Sequence, residues 1–355
     1  MSAQIENNQL AYVAVNGAPW HGLGKPVELG ATGEEMLVAA SLNWRVQSRR
    51  LAMRGVTERV LDSGVRILAV DESRGMLTDE LNNFRAIVRS DNDHVFQIAG
   101  DGYQLVQNLE VVNFFKEFCE AGHATMETVG ALRDGAVVWA LAKLNTGAAF
   151  DISDSNGFAT GDELNGYMLL ATSHDGSLKT IGQPTQERVV CHNTLTAALR
   201  SGEAANTFKL KHSSKFDDAA KQRARKVMGM AREQLAATND LANQLAHVTI
   251  DHDGWLEFMA KLMGGMDAVI DPKTADLTKT ARDIQDATMT SPGSGLASAR
   301  GTLWGAVNGV TYYVDHQARS RSDQNRLFSA WFGNGSERKT AAVKAAVELA
   351  GIGSY

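Results

Sequence analysis

Cysteine is scarce: only Cys119 and Cys191 occur among 355 residues. That excludes a disulfide-stapled scaffold and a cysteine-rich zinc site, both of which need more thiols. No apolar run approaches the roughly 18 residues that cross a bilayer, so no membrane span is expected. The N-terminal MSAQIENNQL also lacks the basic and apolar stretches of a secretory leader. These absences make the cytoplasm the expected compartment. Positive charge is the minority sign, with 35 Lys and Arg against 41 Asp and Glu for a formal net charge of −6. This excludes a protein that coats nucleic acid with its whole surface, yet leaves room for a local basic stripe. No internal repeat of about 20 to 50 residues recurs.

What remains is an ordinary globular composition, 44% hydrophobic and 21% charged, in a chain long enough for one large domain or two. Thr32 followed by Glu35 predicts a capped helix ending near Asn43. Short alternating runs at Trp44 to Met53, Val56 to Leu61, Val65 to Val70 and Phe84 to Ser90 predict strands with one wet face. Val106 to Ala121 carries apolar residues at helical spacing, with Cys119 on the stripe. Met126 to Leu132 and Ala136 to Leu144 predict a hairpin around Asp134-Gly135. A helix followed by such strands predicts an α+β fold, an antiparallel sheet with packed helices.

Beyond Leu199 the pattern turns helical. Asp217 to Val248 predicts one long helix, about 45 Å at 1.5 Å per residue. Further helices are expected at Trp255 to Met263, Thr302 to His316 and Ser336 to Leu349, with a loop from Thr288 to Ser298. The expected division is therefore an α+β domain over residues 1–200 and a basic, mainly helical region over 201–355 packed on it.

Reactive and hydrogen-bonding side chains concentrate between Tyr167 and Leu199. Met168 to Ala171 reads as a buried strand, Ser173-His174-Asp175-Gly176-Ser177 as a turn, and Arg188 to Cys191 as a second strand. Asn193 or Thr194 is expected to cap a helix from Leu195. Nucleophilic catalysis would use Cys191 as thiolate, His174 or His192 as base, and Asp175 to orient it; a helix start beside the thiol would lower its pKa. A metal site from His174, Asp175, Cys191 and His192 runs short of ligands, because neighbours on a strand such as Cys191 and His192 point to opposite faces. In the structural reading, Asp175 and Ser177 close the turn while Asn193 and Thr194 satisfy backbone donors. No metal and no cofactor is expected. Trp20-His21-Gly22-Leu23-Gly24-Lys25 has a Gly-x-Gly but lacks the strand before and helix after that phosphate binding by such a loop requires.

Two segments are basic within this acidic chain. Lys209, Lys211, Lys215, Lys221, Arg223, Arg225 and Lys226 are opposed locally only by Asp217 and Asp218. Arg45, Arg49, Arg50, Arg54 and Arg59 face only Glu58. Such clusters are either solvated faces or phosphate contacts, and Trp44, Phe208 and Phe216 lie close enough in sequence to stack on bases.

Several blocks carry a family resemblance. Tyr103 to Asn108 (YQLVQN), Glu127 to Leu132 with Gly135, Thr172-Ser173-His174-Asp175-Gly176-Ser177, and Arg188-Val189-Val190-Cys191-His192-Asn193-Thr194-Leu195 resemble successive blocks of the phage/plasmid-like protein family, domain of unknown function 932. Trp20 to Gly24, Gly301 to Gly305 and Tyr313 to His316 resemble it too, whereas His192 departs from its pattern. The resemblance implies carriage by a phage, prophage or plasmid in a bacterial host and no established reaction. By analogy of fold, single-strand annealing proteins of phage recombination are the nearest class. The resulting expectation is a non-enzymatic protein that binds single-stranded nucleic acid as a homo-oligomer, through Arg45, Arg49, Lys209, Lys211, Lys215, Arg223, Arg225 and Lys226. Its rivals are an enzyme centred on Cys191 and His174, and an interaction protein such as an inhibitor of host defence.

Overall fold

The computed structural model describes residues 9–13, 24–51, 53–54, 56–60, 66–70, 76–77, 83–145, 150–188, 193–196, 207–229 and 231–352; the side chains at 53–77, 188–196, 227–229 and 323–324 lie outside the description. Strands β1 (Leu10–Val13) and β2 (Lys25–Val27) lead to helix α1 (Gly33–Ala39), which begins where its cap predicts. Thr32 Oγ1 accepts the Glu35 N–H at 3.2 Å, and the Glu35 carboxylate accepts the Thr32 N–H at 2.7 Å. The reciprocal pair satisfies backbone donors that a helix start leaves open.

The β-rich section holds β3 (Val46–Arg50), β4 (Met53–Arg54), β5 (Val56–Val60), β6 (Arg66–Val70), β7 (Met76–Leu77), β8 (Phe84–Arg89) and β9 (Val95–Gly100). β3, β8 and β9 form a small antiparallel sheet, while β4 pairs with β7 and β5 with β6. The single helix expected over Val106 to Ala121 is two, α2 (Asn108–Asn113) and α3 (Lys116–Glu120). They part at Phe114 and Phe115, two consecutive buried rings.

The predicted hairpin is β10 (Ala124–Leu132) with β11 (Val137–Leu144). β12 (Phe150–Ser153), β13 (Ala159–Ser173), β14 (Thr180–Arg188), β15 (Asn193–Thr196) and β16 (Phe208–Leu210) complete a nine-stranded sheet. Its order is β15-β14-β13-β11-β10-β1-β2, with β12 beside β13 and β16 beside β14. Its pairings among the described residues are antiparallel except β1 with β2, so the sheet is mixed rather than purely antiparallel.

Two expectations change at the β14 edge. A strand not expected from the sequence lies at Thr180–Arg188 and contains Pro184, while the strand expected at Arg188 to Cys191 lies outside the described residues beyond Arg188. Proline removes a ladder donor, and here it falls between the stretch paired with β16 (Thr180 to Gly182) and that paired with β15 (Thr185 to Arg188). The helix expected from Leu195 is instead β15 over its described residues, pairing Asn193 with Arg188 and Thr196 with Thr185. An open edge of β14 offers ladder partners to a segment of alternating Thr residues, which outweighs a local cap signal.

The helical half comprises α4 (Asp218–Gly229), α5 (Ala231–Ala246), α6 (His252–Met263), α7 (Met266–Val269), α8 (Lys279–Thr290), α9 (Leu303–Tyr312), a π-helical turn (Tyr313–Gln317), α10 (Asp323–Phe332) and α11 (Asn334–Leu349). The span expected to be one long helix is held by α4 and α5, flanking Met230, which lies outside the described residues. The fold is α+β, with helices gathered toward the C-terminus.

Period-2 geometry makes the middle of the sheet two-sided. Val138, Ala140 and Ala142 of β11 face a core with Met36, Phe115, Phe208 and Phe216, and with Ala220 and Ala224 of α4. Val137 and Trp139 face the opposite way, against Leu169, Leu178 and Leu327, with Phe328 and Trp331 of α10 alongside. A further core unites Ile152 and Leu164 with α5 to α9 and α11. The first and the last of these cores adjoin within α5, between Leu235 and Leu241.

Candidate nucleic-acid interface and the buried His174 turn

β13 ends at Ser173, and the turn that follows is pinned by residues far away in sequence. His174 is 2% exposed, and its Nε2 lies 2.9 Å from Asn108 Oδ1 at the start of α2. Asn108 Nδ2 donates to the carbonyls of Leu42 (2.8 Å) and Trp44 (3.4 Å), so its oxygen is the atom facing the ring and Nε2 carries the proton. Trp44 meets the imidazole edge-on at 5.6 Å, and Phe96 stands 5.4 Å away. The His174 N–H donates to Ala136 O at 2.7 Å.

The rest of the turn is held as firmly. Gln97 Nε2 donates to His174 O at 2.8 Å, and the Tyr103 hydroxyl donates to Ser173 O at 3.2 Å. Ser173 Oγ both donates to Leu178 O and accepts from Leu178 N–H, at 2.8 and 2.9 Å. Asp175 Oδ1 accepts from the Ser177 N–H and hydroxyl at 2.9 and 2.6 Å, and Gly176 takes φ +74°. His212 stacks on Tyr103 at 4.8 Å and places Nε2 3.0 Å from Leu178 O. The blocks Tyr103 to Asn108 and Thr172 to Ser177 thus clasp one another.

Burial sets the chemistry of this turn. Loss of hydration, reinforced by nearby His212 and only partly offset by Asp175, pushes His174 down to about 3. Burial likewise raises the Tyr103 hydroxyl well above its usual range. A neutral imidazole committed to Asn108 is a weak base at neutral pH, and Asp175 spends its oxygen on its own turn rather than on His174. Cys191 and His192 lie outside the described residues, as do the side chains of Arg188, Asn193 and Thr194. With β15 a strand, the helix start invoked to lower the Cys191 pKa is not there. No group of three His, Cys, Asp or Glu side chains converges as a metal site among the described residues. Trp20 to Leu23 also lie outside the description, and Lys25 opens a strand, not the helix a phosphate loop would need.

The basic residues divide into paired and unpaired. Arg49 Nη1 contacts Asp93 at 2.7 Å, Arg225 Nη2 contacts Glu117 at 2.7 Å, and Lys221 lies 3.6 Å from Asp218. Arg45, Lys209, Lys211, Lys215, Arg223 and Lys226 are exposed, with no ion pair to a described residue. Lys209 projects from β16, Lys211 and Lys215 from the turn after it, and Arg223 and Lys226 from α4, Arg223 flanking its buried Ala220 and Ala224 and Lys226 on the far face. Arg45 and Arg49 belong instead to the small sheet. The aromatics expected to stack on bases are corrected: Trp44, Phe208 and Phe216 are 6%, 5% and 6% exposed and fill the core.

A family model for a domain of unknown function, DUF932, matches residues 95–331. The chain belongs to this family. No curated protein and no solved structure matches it. The DUF932 span runs from β9 into α10, so it takes in the His174 turn and the β16–α4 segment but leaves out β3 with Arg49. It also covers the Gly301 to Gly305 block, whose role is architectural. Thr302 Oγ1 caps α9 by accepting the Gly305 N–H at 3.1 Å, and Trp304 Nε1 donates to the buried Asp162 carboxylate of β13 at 3.0 Å. Ser298 Oγ reaches the same oxygen at 2.7 Å. A Cβ at Gly305 would overlap the carbonyl oxygen of Ala299, so only glycine fits. Sequence reasoning did not find Asp162 or the buried pair of Lys339 and Asp315, 2.9 Å apart, because a lone carboxylate or lysine in a polar run looks solvated.

Proposed function

We propose that this DUF932 protein binds single-stranded nucleic acid without catalysing a reaction, taking phosphates on Lys209, Lys211, Lys215, Arg223 and Lys226. One observation carries the reading: these five cations are exposed on β16, its following turn and α4, with no ion-pair partner among the described residues. Cations not already neutralised are the ones that can displace counterions from a phosphate backbone. Arg49 and Arg225, paired with Asp93 and Glu117, move to a lesser role. With the neighbouring aromatics buried, base stacking contributes little and the expected binding is nearly indifferent to sequence. A homo-oligomer and carriage by a phage or plasmid complete the proposal and rest on the resemblance, and a cytoplasmic setting rests on the composition of the sequence; among the described residues no helix is long and apolar enough to cross a membrane.

Fluorescence anisotropy with a labelled single-stranded oligonucleotide, titrated at several salt concentrations, tests it. Removing one phosphate-binding cation should flatten the log-log salt dependence by about 0.7. Changing Lys209, Lys211 and Lys215 to Glu should abolish binding, whereas wild-type affinity in that variant, or no binding by the wild type, would remove the proposal. Equal affinity for a duplex of the same sequence would remove its strand preference.

A further inference from the structure

A cleft of about 780 Å³ opens beside the β10–β11 turn, lined by Arg133, Arg319, Arg321, Asn325, Phe328 and Ser329 and by Gly333 and Asn334 at the start of α11. That volume falls within the roughly 300 to 1,000 Å³ typical of small-ligand sites. Its chemistry is one-sided. Three guanidinium groups contribute to the lining, and no described lining residue carries a carboxylate. Arg319 and Arg321 are exposed on the loop between the π-helical turn and α10, with no ion pair to a described residue. Arg133 lies 3.9 Å over the Phe328 ring, which braces its guanidinium against the floor.

The backbone adds to the same sign. α11 runs for 16 residues from Asn334, and its positive end opens at the cleft wall. Ser329 Oγ accepts the Gly335 N–H at 3.1 Å and so fixes the junction between α10 and α11. The rim follows a π-helical turn, an irregularity often found beside functional sites. Arg133 holds φ +55° in the β10–β11 turn, a conformation uncommon for a residue with a side chain.

From this geometry we infer that the Arg133–Arg319–Arg321 cleft is a binding site for a terminal phosphate or polyphosphate group of nucleotide size, distinct from the β16–α4 cations. Guanidinium groups match phosphate oxygens with paired hydrogen bonds that a lysine cannot reproduce. The group could be carried by a free nucleotide or by the phosphorylated end of a strand, and the chemistry is common to both.

Isothermal titration calorimetry with inorganic pyrophosphate and with ATP tests the site on the full chain. Saturable one-to-one binding is expected for the wild type. An Arg319→Ala/Arg321→Ala variant with unchanged circular dichroism and thermal midpoint should bind about a hundredfold more weakly, about tenfold for each guanidinium removed. Lys209→Glu/Lys211→Glu/Lys215→Glu should bind as the wild type does. Hydrogen exchange on the wild type, independent of any variant, should show pyrophosphate protecting the α10–α11 junction. Oligonucleotides with a 5′-phosphate or a 5′-hydroxyl separate the sources: a phosphate preference that disappears in the arginine variant assigns the site to strand ends, and no preference assigns it to free nucleotides. Absence of binding to both probes, wild-type affinity in the arginine variant, or an equal loss in the lysine variant would overturn the inference.

Discussion

Lowering the pH should destabilise this protein through His174 before most of its carboxylates respond. The ring is buried, its Nε2 is committed to Asn108 Oδ1 at 2.9 Å, and its pKa falls from 6.5 to about 3 on folding. A depressed histidine contributes stability that is intact above its unfolded value and is lost as pH falls below it, because only the unfolded chain then takes up the proton. The window therefore runs from about pH 6.5 down to about pH 3. At pH 5 the unfolded state gains a factor of about 30 from this group and the folded state almost nothing, which corresponds to about 2 kcal/mol. Urea unfolding at pH 7.5 and pH 5 measures the loss. His174→Gln is the companion variant, since the amide keeps a donor toward Asn108 and does not titrate. Subtracting the variant's pH dependence isolates the part that depends on the His174 ring. A wild-type loss no larger than that of His174→Gln would refute both the burial argument and the assignment of the turn as a clasp.

Three further outcomes follow from the packing. Lys339→Met takes the cation away from the buried Asp315 carboxylate and should cost about 3 to 5 kcal/mol in urea or thermal unfolding, most of it recovered in Lys339→Met/Asp315→Leu. Gly305→Ala forces a methyl group into the Ala299 carbonyl, so the loss should reach or exceed the about 3 kcal/mol end of overpacking effects, seen as a lower thermal midpoint. Burial raises the Cys119 thiol, so iodoacetamide at neutral pH should label it more slowly than a free cysteine, as read by intact mass over time.

Local signals carried the elements that local physics decides. The Thr32 and Glu35 capping box, the β10–β11 hairpin around Asp134-Gly135, and the Asp175 to Ser177 hydrogen bonds that close the turn each depend on contacts within a few residues. Where partners are remote, the reading failed in predictable ways. Asn193 and Thr194 have cap chemistry, but the edge of β14 claims them as a strand. Trp44, Phe208 and Phe216 sit beside arginines and lysines in sequence, yet the sheet draws their rings inward. β14 contains Pro184, which argues against a strand unless the gap between its two outer partners is known.

By itself, the amino-acid order determined the α+β class, the concentration of positive charge between Lys209 and Lys226, and the positions of most helices, since periodicity and capping are properties of neighbours in the chain. Tertiary structure alone decided what the polar residues do. It buried His174 against Asn108, 66 residues away, and set Asp162 under Trp304, 142 residues away. It also paired Arg225 with Glu117 while leaving Lys209 and Lys215 in solvent. Burial and ion pairing depend on which distant surfaces meet, and no local pattern encodes that meeting.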